Sequence, residues 1–223
     1  MKRILKKISS YFQTSKESFR RHNSEYEEPG KLDKERQIAE RYRREDIFNS
    51  EEFKLGKLLS AYPNIRTVAV DIGSGTGWLS AELSKKFHRV VAIEPSDAAN
   101  NISKSLYPVT KFPNIESRQG FAEQVLPRLS INSPALFVTG VVLSHLRDQE
   151  VKKICGWLND KAPRGSILGF VECWGSDWHQ LRWHIRTEIW WQKQLTNWRL
   201  SFHGPEMRRE QVYHLGFHGE KIK

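Results

Sequence analysis

From Arg66 onward, runs of apolar residues alternate with stretches in which apolar positions recur every three or four residues. A short apolar run bounded by glycine or proline is typical of a buried strand, whereas spacing of three to four indicates a helix. The predicted strands are 66–72, 89–94, 114–118, 134–142, 166–172, 197–203 and 211–218, and the predicted helices are 76–87, 96–106, 123–129 and 148–160. Strands separated by helices form a parallel sheet with right-handed crossovers.

The first predicted strand runs into a glycine-rich turn, Gly73-Ser74-Gly75-Thr76-Gly77. Glycines at such a turn let the backbone approach a ligand where a Cβ would clash. The second strand ends at Glu94, and an acid at this point accepts hydrogen bonds from both hydroxyls of a ribose. The two features together predict a nucleoside-binding crevice at the carboxyl ends of two parallel strands.

The spacing of the glycines differs from that of a dinucleotide site. The third glycine of G-x-G-x-x-G would fall at Trp78, but it comes one residue early, at Gly77. Asp71 stands two residues before the first glycine, where a carboxylate disfavours a pyrophosphate and favours a ligand with an ammonium or sulfonium group. The pattern D-x-G-x-G-x-G resembles motif I of the class I S-adenosylmethionine-dependent methyltransferases, and Glu94 matches their ribose-binding acid.

The resemblance covers residues 66–172 and implies an α/β, Rossmann-like fold. Its sheet has seven mostly parallel strands, helices on both faces and an antiparallel strand pair at the carboxyl terminus, here 197–203 and 211–218 separated by Gly204-Pro205. The donor-binding residues that it implies are Asp71, Gly73, Ser74, Gly75, Gly77, Glu94, Pro95, Ala122, Glu123, Thr139 and Gly140. Phe121 replaces the acid that the family usually has beside the adenine. No residue cluster has metal-ligand spacing.

The segment Val142-Leu143-Ser144-His145-Leu146 resembles the V-L-x-H-L sequence that follows the fourth strand in the small-molecule and saccharide branch of the family. A sugar or other aliphatic hydroxyl is a poor nucleophile, so O-methylation benefits from a general base, for which histidine is the commonest choice. His145 is the candidate base. The alternative is that His145 caps or supports the next helix.

Tryptophan and histidine are concentrated between residues 173 and 200, where this family builds its acceptor site; six of the eight tryptophans lie there. Tryptophan stacks on sugar rings or aromatic acceptors, but large side chains also serve a core helix. The polar residues Glu172, Asp177, His179 and His184 are predicted acceptor contacts or alternative bases. The expected acceptor is a polar small molecule or a saccharide.

The net charge of +10 and the pI of about 9.6 favour anionic partners. This leaves open an RNA methyltransferase, but the motifs that hold or attack a nucleobase are missing, so nucleic acid is the weaker prediction. A third alternative is a non-catalytic protein in which a nucleoside pocket serves only regulation or interaction. Cys155 and Cys173 lack metal spacing and are predicted to be buried thiols of a cytoplasmic protein.

The chain is predicted to have three parts: residues 1–31, 32–63 and 64–223. In the first part, Ile4, Leu5, Ile8 and Phe12 lie at helical spacing among lysines. This pattern indicates either a helix at the inner membrane surface, where a lipid-linked acceptor is expected, or a frayed basic terminus. The second part is a predicted helical cap over the donor pocket, in which Arg41, Arg43 and Arg44 either reach the donor carboxylate or form a solvated face. The third is the methyltransferase domain with the acceptor region 173–200.

Overall fold

The computed structural model describes residues 26–49, 54–174, 184, 186–208 and 212–223. Within these residues the strands are β1 (Val68–Ile72), β2 (Arg89–Glu94), β3 (Ile115–Gln119), β4 (Ala135–Gly140), β5 (Ile167–Trp174), β6 (Trp198–Arg208) and β7 (Val212–Lys221). The α-helices of the same residues are α1 (Lys31–Arg44), α2 (Leu55–Ala61), α3 (Trp78–Ser84), α4 (Asp97–Leu106), α5 (Ala122–Val125), α6 (Asp148–Lys161) and α7 (Glu188–Gln194). Short 3-10 helices span Ile47–Asn49, Leu126–Arg128 and Leu143–His145.

The strands form one sheet in the order β3-β2-β1-β4-β5-β7-β6. The first five strands are parallel, and β7 pairs antiparallel with both β5 and β6. Ile72 is level with Ile93 of β2 and with Thr139 of β4. The carboxyl ends of the three central strands therefore meet at one edge, and the predicted fold class is confirmed.

Both faces of the sheet are covered. Side chains alternate across a strand, so Val70 and Ile72 belong to a core with α5, α6 and α7, whereas Ala69 belongs to a core with α2 and α3. Every residue of β1 is buried, as expected for a central parallel strand between two helical layers. Cys155 lies in the first of these cores, and burial raises the pKa of its thiol to about 12.

Two predicted boundaries were wrong for local backbone reasons. The helix predicted over 76–87 begins only at Trp78, because Gly77 before it has a left-handed φ of 86°. The predicted break at Gly204-Pro205 lies inside β6, where the pairing with β7 shifts register between His203 and Glu206. Proline lacks an N–H donor and is tolerated at bulges and on edge strands, and β6 is the edge strand here.

The amino-terminal helices are packed on the domain. The ring of Tyr42 on α1 contacts that of Trp78 edge-on, with centroids 5.1 Å apart. The guanidinium of Arg43 lies 3.3 Å from the carboxylate of Glu82 on α3 and donates to the hydroxyl of Tyr107 at 3.4 Å. Arg43 thus anchors α1 to α3. In the part of the chain that the structure describes, no helix is long and apolar enough to cross a bilayer. The predicted basic segment 1–21 lies outside the described residues.

Candidate active site

The glycine turn is held against the end of the neighbouring strand. The backbone N–H groups of Gly73 and Ser74 both donate to the carbonyl oxygen of Ile93, at 2.8 and 2.9 Å. The turn is closed by a further backbone bond from Gly77 to Ser74, 2.9 Å long. The ends of β1 and β2 are therefore joined into one rigid corner.

Glycine is required at two positions of this turn. Gly73 has a φ of 73°, and a Cβ there would lie 2.4 Å from a methyl carbon of Val142. Gly77 has a φ of 86°, and a Cβ there would lie 2.2 Å from the hydroxyl oxygen of Ser103 on α4. Both distances are far inside contact range, so the first glycine admits the loop after β4 and the third admits α4.

Glu94 lies at the centre of the corner and is 3% exposed. One carboxylate oxygen accepts a hydrogen bond from the N–H of Gly75 at 2.9 Å, and the other accepts from the N–H of Ser96 at 2.8 Å. The hydroxyl of Ser96 in turn caps α4 by accepting from the N–H of Ala99 at 3.1 Å. The predicted ribose acid thus also connects the glycine turn to the start of α4.

Asp71 lies beneath the turn, 1% exposed, and accepts a 2.6 Å hydrogen bond from the hydroxyl of Ser80 on α3. Burial raises the pKa of this carboxyl to about 7; the bond from Ser80 opposes the rise and the charge of Glu94 adds to it. The side chain therefore ties β1 to α3. Its predicted contact with the donor stays a prediction.

The segments that follow the first four strands line one small cavity of 40 Å³. Its lining is apolar and consists of Ile72, Gly73, Ile93, Pro95, Gly120, Phe121, Ala122, Val142 and Leu146. Three predicted donor residues, Gly73, Pro95 and Ala122, are among them. Glu123, one residue further on, is half-buried, and burial raises its pKa.

The loop after β4 has unusual backbone geometry at Val141, whose φ is 58°. A left-handed conformation is rare for a β-branched residue and costs free energy. The N–H of Val141 donates to the carbonyl of Val171 on β5 at 2.6 Å, which fixes the start of this loop. The next residue, Val142, then covers Gly73 and walls the cavity.

Glu172 holds the next turn of this loop from one side. The carboxylate is 2% exposed and accepts hydrogen bonds from the hydroxyl of Thr139 at 2.6 Å and from the N–H of Ser144 at 2.9 Å. Burial raises the pKa of Glu172, against the lowering effect of these bonds and of Arg186. Both oxygens of Glu172 are thereby engaged within the protein, and its predicted role as an acceptor contact or alternative base stays a prediction.

Arg186 holds the same turn from the other side and is 4% exposed. Its guanidinium donates to the carbonyls of Leu143 and Leu146, each at 2.7 Å, and to the carboxylate of Asp148 at 3.0 Å. It also lies over the ring of Trp190 on α7, 5.0 Å from the centroid. Sequence reasoning missed Arg186, since a single arginine among aromatic residues gave no signal of its partners.

His145 ends the 3-10 helix that Glu172 and Arg186 hold, and its side chain is exposed. At the start of the next helix, α6, the N–H of Arg147 donates to the carboxylate of Glu150 at 2.7 Å. His184 lies close to the same turn, because its N–H donates to the carbonyl of Ser144 at 2.8 Å. Partial burial and the charge of Arg186 lower the pKa of His184. Asp177 and His179 lie outside the described residues.

The predicted cap reaches the glycine turn through residues that sequence reasoning did not single out. The hydroxyl of Thr76 donates to the carboxylate of Glu35 on α1 at 2.9 Å, and Glu35 also pairs with Lys31 at 3.2 Å. A Cβ at Gly75 would lie 3.6 Å from the hydroxyl of Tyr26. The amino-terminal part of α1 therefore covers the turn, whereas Arg43 is engaged elsewhere.

Comparison with known proteins agrees with this geometry. A family model described as "Methyltransferase domain" matches residues 69–160. A probable cobalt-precorrin-6B C(15)-methyltransferase (decarboxylating) of Methanococcus maripaludis is 27% identical over 124 residues, which cover 53% of this chain and 67% of that protein.

Solved methyltransferases have the same fold. The structure of DhpI in complex with SAM and HEP has a TM-score of 0.61 at 16% identity and covers 94% of this chain and 97% of its own. The N-methyltransferase NodS from Bradyrhizobium japonicum WM9, in complex with S-adenosyl-L-homocysteine, has a TM-score of 0.59 at 15% identity, with 82% and 87% covered.

The fold is that of solved α/β, Rossmann-like methyltransferases. The methyltransferase domain matched over residues 69–160 and the methyltransferase relative support the assignment of the chain to the class I S-adenosylmethionine-dependent methyltransferases, with S-adenosyl-L-methionine as the cofactor. The predicted family, enzyme class and cofactor are thereby confirmed.

The raised pKa of Asp71 gives the first prediction. The folded protein holds this proton more tightly than the unfolded chain, so the carboxyl lowers the free energy of unfolding as the pH rises from its usual pKa of 3.8 towards about 7. The free energy of unfolding of the wild type, minus that of Asp71→Asn, should fall by up to about 1.4 kcal/mol for each pH unit in this window.

Urea unfolding at several pH values from 4.5 to about 8 measures this difference. Asp33→Asn, at an exposed position on α1, is the matched control and should give a constant difference. A difference that is equally constant for Asp71→Asn would show that this carboxyl does not titrate in the window.

Proposed function

We propose that the enzyme transfers a methyl group to a hydroxyl of a polar small molecule or saccharide, with His145 as the general base. The observation that carries this proposal is the placement of an exposed imidazole on a turn fixed from both sides, next to the wall of the donor cavity. The finer choice of acceptor rests on the resemblance of the His145 segment to the small-molecule branch.

The residues at the corner fit the donor. Gly73 and Gly77 leave space that a Cβ would fill, and the Glu94 carboxylate lies where a ribose is expected, with its oxygens held by backbone N–H groups. Pro95 and Ala122 supply apolar surface for the adenine.

The donor carries the methyl group on a sulfonium sulfur. When the methyl group is transferred, the sulfur leaves as a neutral thioether, which needs no protonation. The protein therefore positions the donor and the acceptor and excludes water. Thr139 and Gly140 lie at the end of β4, beside the expected position of the methyl group. The base has to be near this strand end and open to the acceptor, which is the position of the turn that carries His145.

Two other groups are weaker candidates for the base. Glu172 is buried, and its oxygens are occupied by Thr139 and Ser144. His184 lies beside the same turn, and its lowered pKa keeps the imidazole neutral at physiological pH, which suits a base. The alternative role for His145 is to cap or support α6, whose first turn also holds the bond from the N–H of Arg147 to Glu150.

A survey of acceptors tests the proposed substrate class. The protein is incubated with radiolabelled methyl donor and with panels of monosaccharides, saccharide–lipid precursors, other small alcohols, amines and RNA. The proposal expects label in hydroxyl-bearing small molecules. Transfer to RNA that weakens steeply with salt would replace it with the RNA methyltransferase alternative, and donor binding without any transfer would favour the non-catalytic alternative.

The second prediction concerns donor affinity. Glu94→Ala removes the carboxylate expected to bind the ribose and also releases the N–H of Gly75, so affinity for S-adenosylmethionine and its demethylated product should fall about 10- to 100-fold. Calorimetry measures the change. Glu116→Ala, which removes a carboxylate from the adjacent strand β3, is the control and should leave affinity unchanged. Unaltered affinity in a folded Glu94→Ala variant would contradict the placement of the ribose.

The third prediction concerns the base. His145→Ala should lower turnover by about 10²–10⁴-fold with little change in donor affinity, because only proton transfer from the acceptor is lost. His184→Ala tests the competing base. His88→Ala is the neutral control, because His88 is exposed and directly precedes β2, at the end of that strand away from the donor corner. If turnover survives in His145→Ala but is lost in His184→Ala, the base is His184.

We further propose that residues 1–21 hold the protein at an anionic membrane surface. Lys2, Arg3, Lys6 and Lys7 supply the attraction, and Ile4, Leu5 and Ile8 the apolar side. Deletion of residues 1–21 should reduce co-sedimentation with vesicles that contain anionic lipid and leave donor affinity intact. Equal co-sedimentation of the full-length and shortened proteins would reject the membrane role.

A further inference from the structure

The amino-terminal end of α1 places an ion pair against the glycine turn. One carboxylate oxygen of Glu35 accepts a hydrogen bond from the hydroxyl of Thr76 at 2.9 Å, and the other lies 3.2 Å from the ammonium group of Lys31. We propose that Lys31 and Glu35 form the subsite for the zwitterionic amino-acid end of the methyl donor. This inference rests on the proposed position of the ribose at Glu94.

The ion pair lies on the face of α1 that is turned towards the domain. Lys31 and Glu35 are four residues apart and are therefore neighbours on one side of the helix. Ala39, four residues further on, is buried, and the ring of Tyr42 contacts that of Trp78. This face of α1 thus follows the chain from the glycine turn into α3, and the ion pair is the part of it at the turn.

The expected path of the donor leads to this pair. In the proposed binding mode the ribose lies at Glu94 and the methyl group beside the end of β4. The sulfur atom carries the ribose, the methyl group and the amino-acid chain, so this chain extends away from the other two. The glycine turn follows β1, which lies between β2 and β4, and α1 covers this turn. The amino-acid end is therefore expected over the turn, next to the ion pair.

The charges of the pair match those of the amino-acid end, which carries an ammonium group and a carboxylate on one carbon atom. The carboxylate of Glu35 suits the ammonium group and the ammonium group of Lys31 suits the carboxylate, so the four charges alternate in sign. The side chains of Lys31 and Glu35 are 20% and 11% exposed, and partly buried charges are screened less than exposed ones. The pair therefore favours a zwitterion over a neutral substituent.

Tyr26 helps to keep Lys31 in this position. The ammonium group of Lys31 lies 5.1 Å from the centroid of the tyrosine ring, which is a cation–π contact. The hydroxyl of the same tyrosine is beside the turn, 3.6 Å from the place that a Cβ of Gly75 would occupy. Lys31 is thus held between the carboxylate of Glu35 and a ring that lies against the glycine turn.

The test compares two ligands that share the adenosine part. S-adenosylhomocysteine carries the amino-acid end, and methylthioadenosine lacks it. Calorimetry with the full-length protein should show that the wild type binds S-adenosylhomocysteine more tightly. Lys31→Gln and Glu35→Gln should each raise its dissociation constant about tenfold or more and leave that of methylthioadenosine unchanged. Glutamine at position 35 can still accept the hydrogen bond from Thr76, so α1 is expected to stay in place.

Asp33→Asn and Lys34→Gln are the matched controls, because they remove one charge of each sign from exposed positions of α1. They should leave the affinities for both ligands unchanged. Equal weakening of the two ligands in the subsite variants would show that the pair only supports the fold, and would overturn the proposal. Equal affinity of the wild type for the two ligands would also overturn it, as would an equal loss in the control variants, which would report net charge alone.

A second arm assigns the two partners with the decarboxylated and deaminated forms of S-adenosylhomocysteine. Glu35→Gln should weaken binding of the decarboxylated form, which keeps the ammonium group, and Lys31→Gln should not. The deaminated form should show the reverse. The opposite pattern would overturn the proposal. So would weakening of the deaminated form by Arg41→Gln in place of Lys31→Gln, because the carboxylate would then lie at the last turn of α1.

Glu94→Ala separates this subsite from the proposed placement of the ribose. Both S-adenosylhomocysteine and methylthioadenosine contain the ribose, so Glu94→Ala should weaken both ligands, whereas the variants of the ion pair should weaken only the first. Selective loss in the ion-pair variants without any effect of Glu94→Ala would support the subsite and reject the placement of the ribose. Binding of neither ligand to the wild type would overturn both.

Discussion

The Glu94 carboxylate is the interaction on which the donor corner depends. Through the N–H groups of Gly75 and Ser96, a single buried charge connects the glycine turn after β1 with the start of α4 after β2. A buried carboxylate without such donors would be costly, so the turn and the helix have to be present together. The same oxygens are the expected partners of the ribose. The proposed donor site therefore uses groups that also fix its backbone.

The loop after β4 is organised on a similar principle, with charges on buried side chains holding backbone groups. Glu172 accepts from the N–H of Ser144, and Arg186 donates to the carbonyls of Leu143 and Leu146. Hydrogen bonds to charged groups are roughly twice as strong as those between neutral groups. A short turn that has no regular strand or helix to support it is thereby fixed in the wall of the cavity. His145 is the last residue of this turn, and its side chain is exposed to solvent.

The sequence predicted those features that depend on short stretches of chain. The strands β1, β2, β4 and β5 follow from local apolar runs, the glycine turn follows from the conformational freedom of glycine, and the structure has them and Glu94 where expected. Pro95 and Ala122 line the cavity because the carboxyl ends of parallel strands share one edge. These inferences needed only the order of the elements.

Features that depend on distant partners were not predictable in this way. Glu172 was expected at the acceptor because it borders the tryptophan- and histidine-rich stretch, but its bonds with Thr139 and Ser144, which lie far away in the sequence, could not be read from that stretch. Gly204-Pro205 is a strong turn signal, yet its place on an edge strand lets β6 absorb it as a bulge. Such outcomes are decided by which strand pairs with which, and that information is not contained in any local pattern.

The fold constrains the proposed donor site more firmly than the proposed acceptor site. The donor corner is built from the central strands, where every position of β1 is buried and any change is felt by both cores. The turn with His145 lies on the other side of β1, after β4. Exposed turns tolerate substitution far better than central strands. A protein with this arrangement can change the residues proposed to face the acceptor without altering the central strands around the proposed donor site.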